Sequence, residues 1–236
     1  MECYRGSIPL AGTGSKLDLV RQLEEQLMSA TELMPATPGR LMASNVKINL
    51  PAGDLLDLLS GAIIATGKDR TLPTLTGICL VSDGESLTAT ATDRYRLITG
   101  KVKAVGSPFT ALLQNTDAAK VITALKPIAK RQDPRTISLE LGTNELLVVT
   151  PESTFTFHLL DETFPPFEQL LAIEPADSSK MAFNCQFLGE LWKIPGAGKD
   201  VPVIFTFHGN SKLATFTVAH DSIEWRGGIM PMRYTK

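Results

Sequence analysis

Two short segments hold the densest groups of contact-making side chains in the chain. The first, Ala91-Thr92-Asp93-Arg94-Tyr95-Arg96-Leu97, sets a carboxylate, two guanidiniums and a phenol side by side. The second, Gly228-Ile229-Met230-Pro231-Met232-Arg233, sets two thioethers around a proline close to the C-terminus. Proline fixes φ and offers no N–H, which confines this stretch to the edge of a sheet. Methionine is flexible and polarisable, and suits surfaces that accept varied apolar partners. The chemistry on offer is recognition rather than bond making.

The usual catalytic constellations are missing. His158, His208 and His220 are far apart, and Cys3, Cys79 and Cys185 show no paired spacing. No His-x-x-x-His, Cys-x-x-Cys or carboxylate cluster has the spacing of metal ligands. Gly-x-Ser-x-Gly, phosphate-loop and dinucleotide fingerprints are absent as well. The expectation is a non-enzyme with no metal and no cofactor. The chain has 236 residues, 43% hydrophobic and 20% charged, enough for one large core or two smaller ones. A formal charge of −2 argues against a protein that binds polyanions over its whole surface. It leaves room for one basic face. Odd, scattered cysteines fit a reducing compartment. With Glu2 and Pro9 where a signal peptide needs an apolar core, and no apolar run of membrane-spanning length, a soluble cytoplasmic protein is expected.

Positioning those segments falls to a repeated pattern. From Asn45 a strand, a helix and three strands recur three times, each time in about 60 residues. In the first repeat Val46-Lys47-Ile48-Asn49-Leu50 alternates as a strand does. A helix over Asp54–Thr66 follows, then strands near 77–81, 86–92 and 95–102, with turns at Asp83-Gly84 and Asp93-Arg94. The second repeat opens at Phe109-Thr110-Ala111-Leu112-Leu113. Its helix is capped near Asn115 and Thr116, and strands follow near 136–141, 145–150 and 154–160. The third opens at Lys180-Met181-Ala182-Phe183, continues with a short helix capped by Asn184 and stopped at Pro195-Gly196, and ends in strands near 202–208, 212–219 and 223–229. Half-buried alternation in every strand implies antiparallel sheets with helices on one face. Glu162-Thr163-Phe164-Pro165-Pro166-Phe167 forms a stiff connector. Before the repeats, Leu17, Val20, Leu23, Leu27 and Met34 outline one amphipathic helix in an N-terminal arm.

Leu75-Thr76-Gly77, the Ala91–Leu97 segment, Phe164-Pro165-Pro166-Phe167 and Ile229-Met230-Pro231-Met232-Arg233 occur in that order. In this the chain resembles the bacterial beta sliding clamps, the ring-shaped processivity factors of the replicative DNA polymerase. The resemblance covers roughly residues 45–236. It implies an α+β DNA-clamp (processivity) fold, with a full clamp domain over 45–174 and a half domain over 175–236, preceded by the arm at 1–44. The family's remaining parts have no counterpart, which suggests a compact, phage-encoded form. The resemblance further implies a DNA polymerase III beta subunit function in DNA replication. Such a sliding clamp encircles double-stranded DNA without reading sequence, and takes short apolar peptides of the polymerase and clamp loader. Carried over position by position, the groove for those peptides is Leu75, Thr92, Arg94, Tyr95, Arg96 and Leu97, with Pro165, Gln169 and Leu170, closed by Ile229, Met230, Pro231 and Met232. Arg94 departs from the small residue usual in the family, and Tyr95 stands where a histidine is common.

Contact with DNA is expected from the helices through charge alone. Lys120, Lys126, Lys130 and Arg131 lie near one face of the second helix, although Pro127 interrupts its end. Lys68 and Arg70 follow the first helix, whose only charges are Asp54 and Asp57, and the third helix offers Lys193. If a full ring of the family holds twelve strand-helix-strand units, three per chain imply a homo-tetramer. A reading of a different class is a clamp-like decoy or adaptor. It would bind the same peptides and regulate replication without forming a ring.

Overall fold

In the computed structural model, residues 46–129, 136–172, 181–198, 200–209, 211–220 and 222–232 are described. They belong to one compact unit of the chain. The N-terminal helix expected over residues 17–34, together with Lys130, Arg131 and Arg233, lies outside the described residues.

The first repeat comprises β1 (Val46–Pro51), α1 (Ala52–Ala62), β2 (Gly77–Ser82), β3 (Ser86–Thr92) and β4 (Arg96–Lys103). A two-residue strand, β5 (Val105–Gly106), follows. The second comprises β6 (Phe109–Gln114), α2 (Asn115–Ala129), β7 (Thr136–Leu141), β8 (Glu145–Val149) and β9 (Thr154–His158). After the short α3 (Glu168–Leu171), the third has α4 (Cys185–Glu190), β10 (Val203–Thr206), β11 (Ala214–Val218) and β12 (Glu224–Ile229). The expected helix over 54–66 therefore ends as an α-helix at Ala62 and tightens to a 3-10 turn over Ile63–Ala65. Pro127 stays inside α2, two residues before the last described residue of that helix, where it leaves the carbonyl four residues back without its helical donor.

Two antiparallel sheets result, ordered β5-β1-β7-β8-β9 and β10-β11-β12-β4-β3-β2-β6. The first two repeats exchange their opening strands. β1 pairs with β7 in the register Ile48↔Leu139, and β6 pairs with β2 in the register Leu113↔Ile78. Their helices pack on each other. Period-2 alternation sends Ile78, Leu80, Leu87, Ala89, Ile98 and Val102 inward to meet Leu55, Leu58 and Leu59 of α1, while Val121 and Leu125 of α2 meet Ile137, Leu139, Leu146 and Val148. All of these are buried.

The third repeat is fixed to the first through one strand pair, β12 on β4, with Thr99 opposite Arg226. Trp225 makes the seat. Its indole is fully buried, and a Cβ at Gly61 or Gly100 would stand 2.1 Å or 2.5 Å from its ring. Only glycine at both positions admits it. The third repeat's opening strand, expected over 180–183, is reduced to a single bridge between Ala182 and Met232. An opening strand is stabilised by another repeat's sheet, and among the described residues the third repeat has no mate to supply one.

Candidate functional site

The β3–β4 turn is held open by its own side chains. Asp93 Oδ1 accepts from Tyr95 N at 3.1 Å and Arg96 N at 3.0 Å. Thr92 Oγ1 accepts from Arg94 N at 3.2 Å and donates to Arg96 O at 2.8 Å. Between them Arg94 takes a positive φ of 75°, a conformation that glycine adopts without cost.

Three other parts of the chain meet this turn. Met230 N donates to Tyr95 O at 2.8 Å, and Met232 N bonds Ala182 O at 2.6 Å, so the Met-Pro-Met tail is strapped between the first and third repeats. Arg96 Nε donates to Asp93 Oδ2 at 3.0 Å while its Nη1 donates to Glu190 Oε2 of α4. The same guanidinium lies over the Phe187 ring at 4.6 Å, and Tyr95 stacks on that ring at 6.4 Å. Its side chain is only 10% exposed. The bond from Arg96 holds the Glu190 carboxyl below the usual glutamate range. Arg94 faces the loop before β2, where it adds slightly to the lowering of Asp69 that Thr71 mainly causes. Leu75 sits half-buried in that loop, its carbonyl bonded to Gly67 N at 2.7 Å.

The connector crosses the outward face of the large sheet. Leu160 N bonds Leu112 O at 2.8 Å, and Phe164 meets Phe167 edge-on at 6.2 Å. Burial, with Glu168 adding to it, pushes the Cys79 thiol up to about 12. Pro165 and Leu170 are half-buried and Gln169 is exposed, and α3 reaches β12. A cleft of about 220 Å³ opens there between Leu171 and the outward residues Thr206, His208, Thr215 and Arg226. Of the tail, Met232 is 53% exposed, Met230 half-buried and Pro231 buried. Ile229 instead points inward and is part of the core at 1% exposure, so it supports the tail from beneath.

The three histidines do not converge. His208 is buried and pairs with Thr215, His220 accepts from Ser222 N, and His158 lies on the surface near Glu145. Among the described residues no group of His, Cys, Asp or Glu is arranged to hold a metal ion. No described helix is long and apolar enough to cross a membrane.

The model of the DNA polymerase III beta subunit central domain matches residues 49–166, half of the chain. The chain belongs to the DNA polymerase III beta subunit family. It is 28% identical over 154 residues to the beta sliding clamp of Synechococcus elongatus, matching 65% of this chain and 40% of that one. The chain therefore matches well under half the length of that curated relative. Its fold is that of solved clamps. The DNA polymerase III beta subunit of Thermotoga maritima superposes with a TM-score of 0.67 at 14% identity, over 87% of this chain and 70% of the other. A sliding clamp of Pseudomonas aeruginosa, solved bound to griselimycin, gives 0.67 at 16% identity, over 85% and 70%.

Within this clamp-family chain, the tail meets the turn through the bond from Met230 N to Tyr95 O, and Arg94 of the turn acts on Asp69 in the loop that bears Leu75. Phe187 and Glu190 went unforeseen. They lie more than ninety residues from Arg96 and contribute through α4, whose Asn184 cap was the one local signal, its Oδ1 accepting from Gln186 N at 2.9 Å. On the helix side, Lys120 is exposed and paired with Asp117 at 2.6 Å, Lys126 is exposed, and Lys193 bonds Glu190 at 3.5 Å. Lys68 and Arg70 are exposed in the loop after α1. Asp54 and Asp57 on α1 have carboxyls pushed up by burial, an effect that nearby His220 opposes.

Proposed function

We propose that this chain is a sliding clamp that captures short apolar peptides of a DNA polymerase and clamp loader, and that copies of it close into a ring around duplex DNA. The observation that carries peptide capture is the bond from Met230 N to Tyr95 O, which sets the Met-Pro-Met tail against the β3–β4 turn. The Met232 thioether is exposed there, the Tyr95 ring is 37% exposed and Met230 is half-buried, and in this reading half-buried Leu75, Pro165 and Leu170 extend the strip. An apolar strip with few polar fixers suits a short peptide, and the methionines let one site accept several. Arg96 acts here as a positioning residue, because its guanidinium is already spent on Asp93 and Glu190. The role is binding, not catalysis.

In this reading the first two repeats form the complete domain over 45–174 and the third repeat a half domain over 175–236, after the 1–44 arm. DNA is met through the helix side, with Lys120 and Lys126 as the strongest described candidates and Lys68, Arg70 and Lys193 beside them. Lys130 and Arg131 join them from outside the described residues. Loose neutralisation of phosphates suits a ring that slides. Ring closure uses two of the four sheet edges among the described residues, those of β9 and β10.

The groove is tested by Met230→Ala with Met232→Ala, titrated against a fluorescent peptide from the cognate polymerase. Affinity falls at least tenfold, in line with the loss of two buried apolar anchors (about 1–2 kcal/mol each). Undiminished binding refutes the assignment. The ring is tested on circular DNA. Retention that linearisation releases supports it, whereas peptide binding without retention favours the non-ring decoy or adaptor.

A further inference from the structure

We propose that the third repeat is completed by the third repeat of a second copy, through a two-fold exchange of opening strands like the one inside the chain. In the first two repeats the second strand never ends a sheet: β2 is covered by β6 and β7 by β1, each the opening strand of the other repeat. β10 holds the equivalent place in the third repeat, and the large sheet stops at it. The opening strand at Met181–Phe183, which should cover such an edge elsewhere, makes one bridge only. One repeat thus carries both an opening strand bridged on one side only, to its own Met232, and an acceptor edge that no strand covers among the described residues.

The side chains agree. α1 and α2 cover each other, but among the described residues α4 has no helix packed on it. Leu188 on α4 is 39% exposed and Trp192 just after it 71%. On β10 Ile204 is 60% exposed, and beyond it Phe207 is 38% exposed, although it stacks on Phe183 and Phe205 at 6.4 Å. Of the eight large apolar side chains exposed among the described residues, these four belong to this one repeat. An unpaired edge beside exposed aromatics is a surface that proteins ordinarily cover. A surface holding both halves of one exchange is self-complementary about a two-fold axis. A second copy supplies what it lacks.

The inference deepens the ring reading and rests on it for its use, but its test needs no DNA. The full chain is measured by sedimentation velocity across the micromolar range. We expect reversible association that Trp192→Asp with Phe207→Asp weakens about a hundredfold or more, as for central aromatic anchors. Peptide binding at the Met230 groove is retained in that variant, which separates this contact from the groove. Because the double variant can fail to fold, a second arm keeps the surface intact. Copies with Met181→Cys are mixed with copies with Thr206→Cys, both in a Cys185→Ser background, and the disulfide-linked peptide pair is sought by mass spectrometry. A 181–206 link between copies supports the exchange. A strict monomer at high micromolar concentration overturns it, as does association that persists in the double variant without that link.

Discussion

The β2–β3 and β3–β4 turns share one hydrogen-bond plan and differ in what they carry. In the first, Ser82 Oγ accepts from Gly84 N at 3.1 Å, and Asp83 Oδ1 accepts from Glu85 N at 2.9 Å and Ser86 N at 2.7 Å. Thr92 and Asp93 repeat these bonds to Arg94, Tyr95 and Arg96 in the second. The other oxygen of each aspartate takes a side-chain donor, Ser86 Oγ at 2.7 Å or Arg96 Nε at 3.0 Å. Gly84 has a φ of 97° where Arg94 has 75°. One turn ends there, with Asp83 near an exposed Lys101 at 3.5 Å. The other extends its last donor to a second carboxylate in the third repeat. The backbone device is the same, and the long side chain at its fifth position turns a connector into a junction.

The comparison is tested most severely at that fifth position. Arg96→Ala strips a nearly buried guanidinium from two carboxylates and lowers unfolding stability by roughly 3 kcal/mol in urea. Equal costs for Arg96→Ala and Ser86→Ala would break the comparison, since the latter loses one bond to an exposed carboxylate within its own turn. Next come the left-handed positions. Gly84→Arg costs roughly 2 kcal/mol, because it adds backbone strain and sets a Cβ 3.2 Å from the Gly106 carbonyl. Arg94→Gly relieves strain and gains at most about 1 kcal/mol, less the entropy it returns to the unfolded chain. A large loss in Arg94→Gly would show that the arginine makes a stabilising contact that outweighs its backbone.

Period-2 alternation and paired turn residues made the three repeats legible, with most strand ends correct to one or two residues. The features that assemble the site left no local trace. β1 pairs with β7 across nearly ninety residues, a choice made by sheet edges and not by any neighbouring residue. Trp225 carries no local sign of its seat, which depends on glycines in α1 and β4. Ile229 was assigned to the groove by its place in a motif, but the alternation of β12 sends it inward while Met230, past the strand, is free to turn out. Motif order singled out the turn and the tail, which the bond from Met230 N to Tyr95 O joins. Which side chains of β12 face outward depends on pairing parity, and that depends on long-range register.

The two turns also differ in how acid should loosen them. Ser86 and two backbone N–H groups hold the Asp83 carboxyl well below the usual aspartate range, and these bonds lie within its own turn. Glu190 is lowered chiefly by the Arg96 bond, which ties one repeat to another. A carboxyl whose folded pKa is depressed stabilises the fold above its unfolded pKa and loses that share as pH falls through the folded value. Both shares are therefore present at neutral pH and fade in acid. Arg96→Met deletes the Glu190 share and spares that of Asp83. Its urea midpoint should thus fall less between neutral pH and pH about 3 than the wild-type midpoint does, while Ser86→Ala trims only the local share. An unchanged acid response in Arg96→Met would mean that the junction between the repeats is not formed in solution, leaving the two turns as equals.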